Sequence, residues 1–381
     1  MAGITGIIAL KPNGLIKDTS VFERMIAGIK AEATQEHRSF HDENVFVSVV
    51  SQTRSSPETN FYHDQEYGII CALDGFCFVD IQASAGLARD ENVPKDAGTL
   101  AKIVHLYIQM GEEVFKSLRG SFNLFVYDAK RRGSILANDK FGFYPIYYAQ
   151  SAEYLFFSSK LGSIVDSGLI QSPQADFASL IEHLYFGYVI SEHSYIQGAF
   201  TLPNASVIKI EDGRVAMDKY WEMASEYGRN PLNKKQSIEA IDQGLRAAIS
   251  RITQVGEQLL CSVTGGWDSR VVLSYLLPQA RKRLNCYSFG AHDAPDVTIP
   301  QLISPKSHSA ITPLVWIRNI WTITLLMPPR IRSNSLRVPE TTKGPIIFMP
   351  LGRWVSTLSI LSAVFLEIRF SKLVSLKATW F

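Results

Sequence analysis

The sequence predicts two domains, a strand-rich first half crossed by few helices and then an α/β half built on a parallel sheet. Three observations predict it. The 381 residues exceed what one ordinary core organises. After Gly120, short apolar runs alternate with turn residues. Residues 259–277 read LLCSVTGGWDSRVVLSYLL, an apolar run, a Gly-Gly turn and a second apolar run with helical spacing that stops at Pro278.

In chain order, residues 3–10 form an apolar strand ended by Pro12, Asn13 and Gly14. Residues 19–30 place Val21, Met25, Ile26 and Ile29 on one helical face, with Ser20 as the expected cap. Residues 45–50 and 67–73 read as strands and 99–110 as a helix. Four short runs follow at 122–127, 134–138, 146–149 and 154–158, and their turns have the rhythm of a β-meander. Residues 222–236 are polar, contain Gly228 and Pro231, and mark a linker. Ser237 is expected to cap a helix carrying Ile238, Ile241, Leu245, Ala248, Ile249 and Ile252. Residues 284–289 are a further strand, so strand 259–263, loop, helix and strand make a βαβ unit.

Composition narrows the function. A hydrophobic content of 46% fills two cores, and a formal charge of +2 argues for neither a nucleic acid nor an anionic membrane as partner. Cys71, Cys77, Cys261 and Cys286 have no paired spacing and lie in apolar surroundings, as reduced core cysteines do. The start MAGITGIIALK has no basic leader region, and the uncharged tract 354–366 is too short to span a bilayer. The expectation is a soluble, cytoplasmic protein acting on small molecules or peptides.

The glycine loop is the candidate binding element. Gly265 and Gly266 can bring backbone N–H groups around an anion, and the following helix adds its positive end. A phosphate is the natural guest. The other reading of the same residues is a buried strand-to-helix turn or a hairpin without ligand.

Residues 118–128 (LRGSFNLFVYD), 138–148 (NDKFGFYPIYY) and 155–160 (LFFSSK), followed by Phe186-Gly187-Tyr188, Leu202-Pro203 and Tyr220-Trp221, resemble in order the glutaminase half of the asparagine synthetase family. Thr264-Gly265-Gly266-Trp267-Asp268-Ser269 is similar to that family's SGGxDS pyrophosphate loop. The resemblance implies an α+β sandwich of two β-sheets flanked by helices over 1–221, a type 2 (class II) glutamine amidotransferase domain. A linker (222–236) then leads into an α/β PP-loop ATP-binding domain with a parallel sheet (237–303), incomplete at its C-terminal end.

The chain departs from the family where glutamine is hydrolysed. Family glutaminases attack with a cysteine that follows Met1, and here that residue is Ala2, which has no nucleophilic atom. The family's Asn-Gly-Glu falls at Asp74-Gly75-Phe76, and an anionic Asp74 opposes a developing oxyanion. Arg54 and Asp96 match the family's glutamine pocket by position, and with the nucleophile gone surface charge is the preferred reading of both. The first half is therefore expected to be a silent scaffold.

For the second half the resemblance implies adenylation of a carboxylate by ATP, release of pyrophosphate and attack by an amine. Gly265 and Gly266 with the hydroxyls of Thr264 and Ser269 are expected to hold pyrophosphate, Val263 to contact ATP, and Asp268 to orient the loop or hold Mg2+. Arg270 either adds a phosphate contact or covers the helix. The amine is free ammonia in an asparagine-forming enzyme, or belongs to the substrate in lasso peptide cyclases and β-lactam synthetases. A truncated, non-catalytic pseudoenzyme is the rival from another class.

Beyond about Ser304 the resemblance stops, and no later SGxGxDE-like motif occurs. Residues 304–381 contain no aspartate and only Glu340 and Glu367 as acids. That composition is expected of a tail translated out of frame, the alternative being a divergent basic region.

Overall fold

The computed structural model describes residues 3–30, 35–50, 60–80, 98–227, 232–253, 259–276, 284–291, 293–307, 311–316 and 323–325. The chain divides into two compact units, Met1–Glu226 and Tyr227–Phe381.

The first unit contains β1 (Gly3–Ala9), α1 (Ser20–Ile29), β2 (His37–His41), β3 (Val45–Val50), β4 (Phe61–Asp64), β5 (Ile69–Val79) and α2 (Thr99–Met110). It continues with α3 (Val114–Ser117), β6 (Leu118–Asp128), β7 (Gly133–Asn138), β8 (Tyr147–Gln150), β9 (Tyr154–Ser158), α4 (Leu161–Asp166), α5 (Phe177–Phe186), β10 (Ala199–Thr201), β11 (Ser206–Glu211) and β12 (Arg214–Lys219). One sheet has the order β10-β8-β9-β1-β3-β2 and the other β12-β11-β7-β6-β5-β4. Among the described residues every strand pairing in both is antiparallel.

Strand alternation sorts the side chains into layers. Ile4, Ile8, Val47, Leu155 and Phe157 from the first sheet meet Ile70, Ala72, Phe125 and Tyr127 from the second. Ile7 and Phe156 turn the other way and pack with Val21, Phe22 and Met25 of α1 and Ile164 of α4. Leu73, Phe122, Leu124 and Val126 pack outward against Leu100, Ile103 and Val104 of α2. The unit is thus the expected sandwich of two antiparallel sheets flanked by helices.

The β-meander is corrected. β6 and β7 pair in one sheet and β8 and β9 in the other, so the chain changes sheets between Asn138 and Tyr147. The cause is Asp139, which is 1% exposed. Its carboxylate accepts from the N–H of Phe122 (3.1 Å) on β6 and of Phe141 (2.9 Å) and Phe143 (3.1 Å) in the connection itself, which ties the connection to β6, the strand beside the one it leaves. Pro145 follows within this connection and has no N–H to offer a ladder.

Two caps are also corrected. Ser20 is the first residue of α1, and its N–H is held by Asp18 Oδ1 at 3.0 Å. Ser237 lies inside α6 (Lys234–Thr253), because Asn233 and Gln236 close that helix start reciprocally through bonds of 2.9 and 3.0 Å.

The second unit continues from α6 through β13 (Leu259–Ser262), α7 (Trp267–Tyr275), β14 (Leu284–Gly290), α8 (Pro295–Ser307), β15 (Ile311–Trp316) and β16 (Ile323–Leu325). β13, β14 and β15 are parallel, and β16 closes the edge antiparallel to β15. Among the described residues, α7 lies between β13 and β14 and α8 between β14 and β15. Ala248, Ile249, Cys261, Val263, Val272, Leu273 and Cys286 make the core. β15 and β16 lie in the tail read as out of frame, and residues 326–381 lie outside the described residues.

Candidate functional site

Among the described residues, one stretch in each unit carries the candidate site residues.

In the sandwich, Asp74 of β5 and Asn123 of β6 stand directly opposite each other in the ladder. Their parity is that of Ala72 and Phe125, so both face the layer between the sheets. Asp74 is 7% exposed and Asn123 is 0% exposed. Neither amide atom of Asn123 has a hydrogen-bond partner of good geometry among the described residues. Burial pushes the Asp74 carboxyl up to about 6, against the pull of the Asn123 amide and the Lys160 cation. Burial lowers the Lys160 ammonium in turn, and Asp74 opposes that shift.

Gly75 is required by the backbone. It adopts φ of +105°, and a Cβ there would run into the Ser121 carbonyl oxygen and come within 3.0 Å of the Tyr144 ring. Phe76 follows, half-buried and without charge. Burial raises the Asp74 carboxyl to about 6, and above that range it is anionic. An anion there repels an oxyanion, the reverse of the donor that acyl transfer uses.

Ala2, Arg54 and Asp96 lie outside the described residues. Sequence reasoning missed Asn123 and Lys160 as neighbours of Asp74. Asn123 had a signal, a polar residue set between Phe122 and Leu124 at a core-facing position of the strand. Lys160 had none, since only the sandwich brings the end of β9 towards β5.

In the second unit the glycine loop connects β13 to α7, with Gly266 as the helix N-cap. Val263 is fully buried, and its N–H donates to the Tyr287 carbonyl at 2.8 Å, extending the β13–β14 pairing. It is a core residue first. The Thr264 N–H donates to Ser269 Oγ at 3.0 Å, and the two hydroxyls lie 3.4 Å apart. The Gly265 N–H donates to Asp296 Oδ1 at 3.0 Å, and the Gly266 N–H to Thr264 Oγ1 at 3.2 Å. All three loop amides are therefore engaged by the protein's own oxygens.

Asp268 is exposed in the first turn of α7, with no hydrogen bond or ion pair among the described residues. Arg270 turns back on the loop: its Nε donates to the Gly266 carbonyl at 3.0 Å and its guanidinium lies 4.4 Å from the centre of the Trp267 ring. Sequence reasoning missed the bond that the Asp296 carboxylate accepts from the Gly265 N–H, which joins residues 31 apart.

Among the described residues no group of three or more His, Cys, Asp and Glu could hold a metal ion. The four cysteines are free and buried. No described helix is long and apolar enough to cross a membrane.

Residues 1–221 match the glutamine amidotransferase domain family. The chain is similar to amidase chry2 of Gibberella zeae, 22% identical over 227 residues, which covers 58% of this chain and 33% of that protein. It is similar also to amidase chyE of Penicillium rubens, 25% identical over 216 residues, 55% of this chain and 31% of that one. The matched part thus spans about a third of the length of these relatives. Among solved structures, a glutamine phosphoribosylpyrophosphate amidotransferase from B. subtilis, complexed with ADP and GMP, aligns at 10% identity with a TM-score of 0.39, covering 88% of this chain and 70% of that one. With more than half of its length matched, the chain belongs to the glutamine amidotransferase domain family.

Proposed function

We propose that the chain is an asparagine synthetase-like, ATP-dependent amide-forming ligase whose amidotransferase domain does not hydrolyse glutamine by an N-terminal cysteine. The observation that carries the reading is the glycine loop 264–266, which follows a parallel strand and starts a helix, where open α/β sheets bind ligands.

The loop residues fit a polyphosphate. Gly265 and Gly266 have no side chain of their own beside their amides, and the Thr264 and Ser269 hydroxyls can turn from accepting loop N–H groups to donating to phosphate oxygens. Asp268 fits Mg2+ as a single carboxylate, since this ion commonly uses one or two carboxylates plus phosphate oxygens and water. ATP, when bound, supplies the energy to activate a carboxylate. What the chain contributes is positioning of the polyphosphate by the loop and α7. The amine comes from free ammonia or from the substrate itself.

In the first domain, Ala2 offers no thiol, and Asp74, which the resemblance aligns with the family's oxyanion-hole asparagine, is a buried carboxyl. The names of the amidase relatives fit a protein concerned with a carbon–nitrogen bond.

Pyrophosphate release from ATP and magnesium, measured with aspartate and ammonia and then with candidate peptides, tests the reading. Release that depends on a carboxylate and disappears in Asp268→Ala is the expected result. No release with any carboxylate, or glutamine hydrolysis by the purified chain, would overturn it. A nucleotide-binding protein without turnover is the second reading, favoured by the full engagement of the loop amides. ATP binding at equilibrium without pyrophosphate release selects it.

A further inference from the structure

The three loop amides are not held alike. Thr264 and Gly266 give their N–H groups to hydroxyls, neutral groups that can accept or donate. Gly265 gives its N–H to a carboxylate, Asp296 Oδ1, at 3.0 Å. A carboxylate only accepts, and it carries the same sign of charge as a phosphate.

The approach is close because residue 265 is glycine. A Cβ built there would come within 3.0 Å of the Pro295 carbonyl oxygen and 3.3 Å of Asp296 Oδ1. The start of α8 therefore lies directly on the loop. Asp296 is in the first turn of that helix and is exposed, so its side chain can rotate into water without uncovering apolar surface.

We propose that Asp296 is an internal competitor for the polyphosphate site, its carboxylate occupying the Gly265 amide that a phosphate oxygen would take. The inference rests on the reading of this loop as a phosphate site and adds what sets its affinity. In the ligand-free protein the carboxylate satisfies the amide and keeps the loop in shape. A polyphosphate displaces it, and the affinity is lowered by the lost bond and by repulsion between like charges. Weaker anions, inorganic phosphate among them, are excluded.

The test is calorimetric titration of the full chain with inorganic pyrophosphate and with ATP, magnesium present, for the unmodified protein, Asp296→Ala and Asp296→Asn. Asp296→Asn keeps the size and one acceptor oxygen, which guards against collapse of the loop. Both variants are expected to bind both ligands about tenfold more tightly, as removal of one nearby like charge implies. The gain should shrink as salt is raised. If the unmodified protein binds and neither variant binds more tightly, Asp296 organises the loop or holds magnesium, and the competitor role falls alone. If none of the three proteins binds either ligand, the phosphate reading of the loop falls and this inference with it.

Discussion

In the sandwich, Asp74 and Asn123 lie between two sheets, whereas Gly266, Asp268 and Asp296 of the second unit lie exposed at the ends of parallel strands. An antiparallel sandwich aims alternate side chains of every strand into a closed layer, so a polar residue placed there is removed from water on all sides. A parallel sheet ends each strand in a connection at one edge, so its polar loops stay at the rim, where ligands arrive. The first unit is accordingly governed by desolvation, with a raised carboxyl beside a fully buried amide. The second is governed by competition for backbone donors.

The largest expected effect tests how tightly the sandwich layer is closed. Phe157 is fully buried, packs its ring tilted against Phe125 with centroids 5.2 Å apart and fills the space over Gly6. Phe157→Ala should lower unfolding free energy by about 3–5 kcal/mol in denaturant titrations. A loss below about 1 kcal/mol would mean that the layer is loosely packed.

Next is Asp74, and here the sign matters. Its carboxyl is raised in the fold, from an ordinary value of 3.8 to about 6, so the fold favours the neutral form. Stability is fully present below about pH 4 and is lost as pH rises through about 6, by up to about 3 kcal/mol. Asp74→Asn should remove this dependence and raise the midpoint of unfolding at pH 7 while changing it little at pH 4. An unchanged pH profile would place the carboxyl in water.

Gly75→Ala forces a Cβ towards the Ser121 carbonyl at φ of +105°, and should destabilise by about 2 kcal/mol or more. In the second unit the effects are smaller and local. Ser269→Ala removes the acceptor of the Thr264 N–H at 3.0 Å and should weaken ATP binding several-fold with little change in folding. Asn233→Ala deletes one half of the reciprocal cap of α6 and should cost about 1 kcal/mol in thermal unfolding.

Much of the fold was legible in the sequence, because short strands with apolar alternation and a periodic helix announce themselves. The helix at 99–110 and the strand at 154–158 lie where periodicity put them. Cap positions were less so. Ser20 and Ser237 were each displaced by a neighbour with better reach, Asp18 in one case and the Asn233–Gln236 pair in the other. The loop 264–266 could be read as a glycine turn, but which oxygens hold its amides could not. Two acceptors come from within six residues, and the third, Asp296, comes from the next crossover.

What the sequence determined by itself is local: where strands and helices run, that a glycine loop joins β13 to α7, and that the residue after Met1 carries no thiol. The tertiary structure alone decided that β6 and β7 part from β8 and β9, that Asp74 faces Asn123, and that Asp296 sits on Gly265. The physical reason is range. Periodicity and turn chemistry act over a few residues, whereas burial and hydrogen-bond competition depend on which distant segments the folded chain brings within 3 or 4 Å of each other.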